Sequence, residues 1–210
     1  MKVVGIDLAG SPRRTTGFCL LDENLQAQTE PLRETGKIVS ETVSATPDIV
    51  SIDAPLSLPR GRQSLSRRGP PHFRACDIEL RRMKIKFFPV TLGPMRKLTA
   101  RGMRMKKVLE SKGLKVIESY PGSIQDLLGM PRKQAGVEKL RSALVEYGIR
   151  GDVHKPGITH DELDAITSAL VGKMFLDGNY LAIGDPQEGL MILPPKRSWP
   201  VRDENKSAFS

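Results

Sequence analysis

Two aspartates end apolar stretches of the sequence, which is an unusual place for a charged side chain. Asp7 closes the run VVGID and Asp53 closes the run IVSID, and neither run contains a basic residue. Burying an ionised carboxylate is very costly unless it is paired or bound to a cation. If the two runs form neighbouring parallel strands, both carboxylates face one edge of the sheet, and a hard divalent cation is the simplest partner. The alternative is that each aspartate caps a turn at the end of its strand.

Further acids extend this candidate cluster. Asp161 and Asp164 are three residues apart and therefore share one face of a helix, near the end where the helix dipole favours carboxylates. Asp161 also fits an ordinary acid of a first helical turn. Glu118 lies in an apolar run that would form the strand next to Asp53. His160 could either shuttle protons or cap the helix.

These residues need a sheet and a helix to position them. Thr159 and Glu162 have capping-box spacing and predict the start of the last helix, which should end near residue 177. Apolar runs and turn residues predict an α/β fold with helices packed on a sheet. The predicted strands are residues 2–8, 17–21, 35–39, 48–54 and 114–120, the other predicted helices are 75–86, 95–112, 123–128 and 135–147, and a hairpin covers 180–193 with its turn at residues 185–186.

The length of 210 residues predicts one domain. We place it at residues 1–193, with a basic insertion at about 56–113 and a polar tail at 194–210 that contains Trp199. The apolar fraction of 39% supports a core, and no run approaches the ~18 apolar residues of a membrane span. The start of the sequence lacks the apolar centre of a signal peptide, so we expect a cytoplasmic protein without a membrane partner. Cys19 and Cys76 predict structural thiols.

The positive charge of the sequence is concentrated in residues 60–107, called here the basic segment. It contains 15 Lys or Arg and two acids, Asp77 and Glu79, so its net charge is +13, against +9 for the whole chain. Such clustering is typical of a surface that contacts a phosphate backbone, although a solvated basic surface is the alternative. The segment therefore predicts a polyanionic partner.

Several motifs resemble a bacterial and archaeal family described as predicted nucleases of the RNase H fold, domain of unknown function 429. They are GIDLAG, SIDAPLSLP, FRACDIELRR, ESYPGS and HDELDAITSAL, and they span most of the chain. The resemblance implies an RNase H-like fold. Its central mixed sheet would have five strands, three antiparallel followed by two parallel, flanked by helices, with a basic helical insertion and a C-terminal hairpin.

The sequence is also distantly similar to Holliday-junction resolvases, in which acids on the first strand, the fourth strand and the last helix bind Mg²⁺ or Mn²⁺. This similarity implies a metal-dependent nuclease that hydrolyses phosphodiester bonds in DNA or RNA, with Glu118 as a further catalytic candidate. It leaves a homodimer as one option, because those resolvases act as dimers. The catalytic and metal-binding residues would be Asp7, Asp53, Asp161 and Asp164.

The same resemblance assigns the basic segment to nucleic-acid binding, with Phe73 as a stacking side chain. Asp77 could instead pair with one of the arginines. The leading phosphate contacts would be Arg67, Arg68, Arg74, Arg81 and Arg82.

Two other functions fit parts of the sequence. The loop after Asp7, with Gly10, Ser11, Thr15 and Thr16, resembles the phosphate loop of actin-like and sugar-kinase phosphotransferases. Those proteins close two such domains over a nucleotide, whereas 210 residues supply one. A nucleic-acid-binding protein without catalysis is the second alternative.

Overall fold

The computed structural model describes residues 1–195 of the chain. The predicted polar tail and its Trp199 therefore lie, apart from residues 194 and 195, outside the described residues. The strands are β1 (Lys2–Asp7), β2 (Thr16–Asp22), β3 (Gln26–Leu32), β4 (Ile49–Asp53), β5 (Val116–Ser119), β6 (Arg150–Gly151), β7 (Leu181–Asp185) and β8 (Gly189–Leu193), and the helices are α1 (Thr35–Ser44), α2 (Ala75–Arg82), α3 (Gly93–Glu110), α4 (Pro121–Leu127), α5 (Val137–Tyr147) and α6 (His160–Leu176).

The strands of residues 1–195 form one mixed eight-stranded sheet in the order β6-β3-β2-β1-β4-β5-β8-β7. Its centre confirms the predicted arrangement, because β1, β2 and β3 are antiparallel neighbours and β4 and β5 run parallel to β1. The sheet is larger than the five strands expected. The short strand β6 joins β3, and the predicted C-terminal hairpin, β7 and β8, joins the sheet through β5.

The predicted third strand, residues 35–39, is wrong. Those residues open helix α1, and β3 comes earlier in the chain. Ile38, Val39 and Thr42 are the buried residues of α1, and their spacing places them on one helical face. A short apolar run is compatible with either a strand or a helix, so periodicity over five residues could not decide between them.

The two faces of the sheet are covered by different helices. Side chains alternate along a strand, so Val3 and Ile49 pack on one face in a cluster with α6. Val4 and Ile52 pack on the other face, in a cluster with α1 and α3. The sheet therefore separates an α6 face from an α1/α3 face, and this division decides which functional side chains can meet.

The start of α6 confirms its predicted capping box. The Thr159 hydroxyl accepts a hydrogen bond from the Glu162 backbone N–H, and the Glu162 carboxylate accepts one from the Thr159 backbone N–H. Cys19 and Cys76 are both buried and free, in line with structural thiols. In residues 1–195, no helix is long and apolar enough to cross a membrane.

Candidate metal centre and nucleic-acid interface

Asp7 and Asp53 lie side by side at the carboxyl ends of β1 and β4. The two strands are parallel and in register, with Asp7 opposite Asp53. Neighbouring strands are about 4.8 Å apart, and residues in register point to the same face. The backbone therefore brings the two carboxylates together at one edge of the sheet, as expected, and both lie on the α6 face.

Helix α6 approaches this edge closely because glycines face it. A Cβ added to Gly5 would lie 2.1 Å from the Ala165 carbonyl oxygen, and one added to Gly17 would lie 1.8 Å from the Asp161 carbonyl oxygen. Gly17 is the β2 neighbour of Asp7 in the sheet. The first turn of α6 therefore rests directly beside the end of β1.

The two aspartates of α6 differ in their surroundings. Asp164 is 9% exposed, whereas Asp161, one turn earlier, is only half-buried. The Gln125 side-chain amide donates a hydrogen bond of 2.7 Å to Asp164 Oδ1, and Gln125 is itself buried. Gln125, on α4, was missed by the sequence reasoning, since a glutamine in a short helix gives no distinctive signal.

The pKa of Asp53 depends on its burial and on the charges of the neighbouring acids. The carboxyl group of Asp53 is enclosed by protein even though the residue keeps some exposed surface, and this burial raises its pKa well above the usual value. The charges of Asp7 and Asp164 and a hydrogen bond with Asp7 raise the Asp53 pKa further. A proton or a cation is required to stabilise such a group of like charges.

Glu118 lies on the other face of the sheet. It pairs in register with Ile52, whereas Asp53 pairs with Ser119. The Glu118 carboxylate accepts hydrogen bonds of 2.7 Å from Arg74 Nη1 and from the Leu56 backbone N–H, both at Oε2. Its charge still raises the Asp53 pKa, but its direct partners belong to the α1/α3 side.

The prediction that Arg74 contacts a phosphate is wrong. It is 2% exposed, and its guanidinium pairs with Asp77 at 3.0 Å and with Glu118 at 2.7 Å. The expectation that Asp77 pairs with an arginine is confirmed. These three residues form a buried ion triad, and the arginine could reach a phosphate only by leaving two carboxylates without their cation.

The other arginines predicted to bind nucleic acid, Arg67, Arg68, Arg81 and Arg82, are exposed. Arg81 lies over the ring of Phe73, 4.2 Å from its centroid, so Phe73 already has a stacking partner.

Two further arginines of the basic segment are buried. Arg62 donates to backbone carbonyls of its own loop, and Arg101 donates to the carbonyls of Ala9 and Arg33. With Arg74, three of the cations between residues 60 and 107 therefore stabilise the fold and do not contribute to the charge of the surface.

Arg13, in the loop that follows Asp7, is exposed, but the sequence reasoning missed it because it lies outside the basic segment.

His160 is the first residue of α6, and its Nδ1 is a buried atom that has no hydrogen-bond partner among residues 1–195. The helix cap is formed by Thr159 and Glu162 instead. The capping alternative for His160 therefore finds no support in these contacts.

A cavity of about 260 Å³ adjoins the acids on the α1/α3 side of the sheet edge. Asp53 lies at its wall, together with the buried ion triad and the side chains that precede α3. Within residues 1–195, no three His, Cys, Asp or Glu side chains are already gathered as a metal-ligand set.

The sequence matches no protein-family model and no curated protein. Among solved structures, the chain is similar to T. thermophilus RuvC in complex with a Holliday junction substrate, with a TM-score of 0.50 and 14% identity over 85% of this chain and 97% of that chain. A second Thermus thermophilus RuvC structure has a TM-score of 0.44 at 14% identity, with the same coverage. The first likeness confirms the RNase H-like fold. Membership of the predicted-nuclease family stays a prediction.

Proposed function

We propose that this protein is a divalent-metal-dependent nuclease that hydrolyses phosphodiester bonds in DNA or RNA. The observation that supports this most directly is the in-register pair Asp7 and Asp53 at the carboxyl edge of the sheet, with Asp164 contributing to the raised pKa of Asp53. Exposed Lys and Arg side chains of the basic segment would contact the phosphates of a nucleic-acid backbone.

The donor set of this edge fits Mg²⁺ or Mn²⁺. Carboxylate oxygens are the hard ligands these ions prefer, and Mg²⁺ usually keeps several waters and takes only one or two carboxylates from a protein. Asp7 and Asp53 supply such a pair, and Asp164 and Asp161 would complete the shell directly or through water. When bound, the metal would activate water and neutralise charge on the phosphate.

The protein side of the mechanism is positioning. The close approach of α6 at Gly5 holds Asp164 toward the strand ends, and the hydrogen bond from Gln125 fixes the orientation of its carboxylate. We assign Glu118 a supporting role, because its Oε2 holds Arg74 and the chain that leaves β4.

The exposed arginines would hold the substrate backbone by charge. Such contacts carry no sequence information and weaken steeply with salt. We expect Arg67, Arg68, Arg81 and Arg82 to contribute, and Arg13 to act near the acids, because its loop follows Asp7 directly.

Incubation with nucleic acids in Mn²⁺ tests the proposal. The substrates are single-stranded, duplex, hybrid and four-way-junction molecules, the last because RuvC, which shares the fold, is seen with a Holliday junction substrate. We expect cleavage by the wild type and a loss of at least about a hundredfold in Asp7→Asn and Asp164→Asn, since loss of one preorganised group that stabilises the transition state typically costs about 10²–10³ in rate. Equal products from wild type and Asp7→Asn would refute the nuclease.

Asp177→Asn is a matched control, because it makes the same change at the exposed C-terminal end of α6. A metal-dependent rise in melting temperature provides a second readout that needs no cleavage. We expect Mn²⁺ to raise the melting temperature of the wild type and of Asp177→Asn, but not that of an Asp7→Asn/Asp53→Asn variant. Nucleic-acid binding with neither cleavage nor a metal effect would favour the non-catalytic binding protein.

A further inference from the structure

We propose that the cavity beside Asp53 binds one unpaired nucleobase of the strand whose phosphodiester lies at the acids, an inference that rests on the proposed function. The cavity has a volume of about 260 Å³ and shares Asp53 with the acid cluster. Sites for drug-sized ligands are usually about 300–1,000 Å³, so this one suits a single planar ring system.

The location of the cavity follows from the alternation of side chains at the sheet edge. Asp53 points to the α6 face, but Ala54 and Glu118 belong to the α1/α3 face, and all three line the cavity. A phosphate held at the acids therefore has this cavity within the reach of the sugar and base attached to it. A base could enter only if it is unpaired, because a paired base is stacked inside the duplex and must leave the stack to reach a separate cavity.

The lining has the composition that a nucleobase requires. Phe87, Phe88 and Tyr120 offer aromatic rings, and Met95 and Leu98 add apolar surface. Aromatic side chains stack on any base because every base has a π-face.

Phe88 is the most informative residue of the lining. Its side chain is 68% exposed, although large aromatic residues usually bury most of their surface. It follows Lys84 and Lys86, the two basic residues of the α2–α3 connection (residues 83–92), and both are exposed. An exposed ring among cations matches a strand that presents phosphates and an unstacked base.

The cavity is also held in a defined shape. The buried ion triad of Arg74, Asp77 and Glu118 lines it, and the Tyr120 hydroxyl donates a hydrogen bond of 2.7 Å to the Lys86 carbonyl. These contacts tie the α2–α3 connection to β5. A preformed cavity needs little ordering when a ligand enters it, so less of the binding free energy is lost.

Binding of two matched single-stranded oligonucleotides in Ca²⁺, which carboxylate oxygens can hold at the acids in place of Mg²⁺ or Mn²⁺, tests the inference by a readout other than cleavage. One oligonucleotide is abasic at every position, and the other has a single 2-aminopurine at its centre, so both have the same phosphates. We expect the added base to tighten binding to the wild type about 5- to 150-fold, the range for one stacked base, and to quench its fluorescence. In Phe88→Ala we expect this gain to fall to less than about twofold, and in Phe88→Trp to persist.

Val108→Ala is the control, because Val108 is an exposed apolar residue of α3 outside the cavity lining. Tight binding of both oligonucleotides with equal affinity would overturn the base site while leaving the nuclease proposal intact. An equal gain in Phe88→Ala and the wild type would do the same. Conversely, a base-dependent gain in a protein that cleaves nothing in Mn²⁺ would keep the base site and refute the nuclease.

Discussion

Replacing Arg74 by methionine should destabilise the protein severely, because it leaves two buried carboxylates without their cation. The side chains of Asp77 and Glu118 are 3% and 5% exposed. Arg74 donates to Asp77 at 3.0 and 3.2 Å and to Glu118 at 2.7 Å. Removing one partner of such a buried group costs about 3–5 kcal/mol. For a chain of this length, that corresponds to a fall in melting temperature of about 6–20 °C.

Thermal melting followed by circular dichroism at neutral pH measures this fall. The control is Arg81→Met, whose guanidinium is exposed over Phe73 and should cost about 0.5–1 kcal/mol. A triple variant, Arg74→Met with Asp77→Asn and Glu118→Gln, should recover part of the loss, because the uncompensated charges are gone.

Two outcomes would contradict the buried-triad argument. In one, Arg74→Met melts within about 2 °C of the wild type, less than the loss expected from even one kcal/mol. In the other, Arg81→Met loses as much as Arg74→Met, which would indicate that any arginine of this region has the same effect.

Three further predictions concern α6 and the acids. The pKa of Asp53 is raised in the folded protein, so in metal-free buffer its stabilising contribution is fully present below the unfolded pKa near 3.8 and is lost as pH rises through the folded pKa. Asp53→Asn should therefore be more stable than the wild type at neutral pH, as measured by denaturant titration in EDTA. Gln125→Leu should lower Mn²⁺ affinity about 10- to 100-fold in calorimetry, because it removes the donor that orients Asp164, whereas an unchanged affinity would show that the contact is only structural. Thr159→Ala should cost about 1 kcal/mol in chemical denaturation through loss of the capping box with Glu162, and an unchanged midpoint would contradict this.

The adjacency of Asp7 and Asp53 could be predicted from the sequence because it depends on local patterns. Each aspartate ends an apolar run, and neighbouring parallel strands bring such ends together. The capping box of Thr159 and Glu162 is likewise a short-range pattern, and the structure has it as predicted.

Which arginines are buried could not be predicted, because burial depends on long-range packing. Arg74 and Arg81 are seven residues apart in the same basic segment, yet one is buried and the other exposed. The burial of Arg74 is stabilised by Glu118, 44 residues later in the chain. Net charge along a sequence therefore overstates the charge of the surface.

The position of Glu118 shows how one residue of register separates two roles. Glu118 lies opposite Ile52 rather than Asp53, so the pleat of the sheet directs the two carboxylates to opposite faces. Asp53 is left among Asp7 and Asp164, where like charges require a cation or a proton. Glu118 instead has Arg74 as a permanent cation and so lines the neighbouring cavity without competing for metal. A cavity wall whose buried carboxylates are held by Arg74, next to an acidic cluster, suits a phosphodiester whose phosphate is held by metal and whose base is held by aromatic rings.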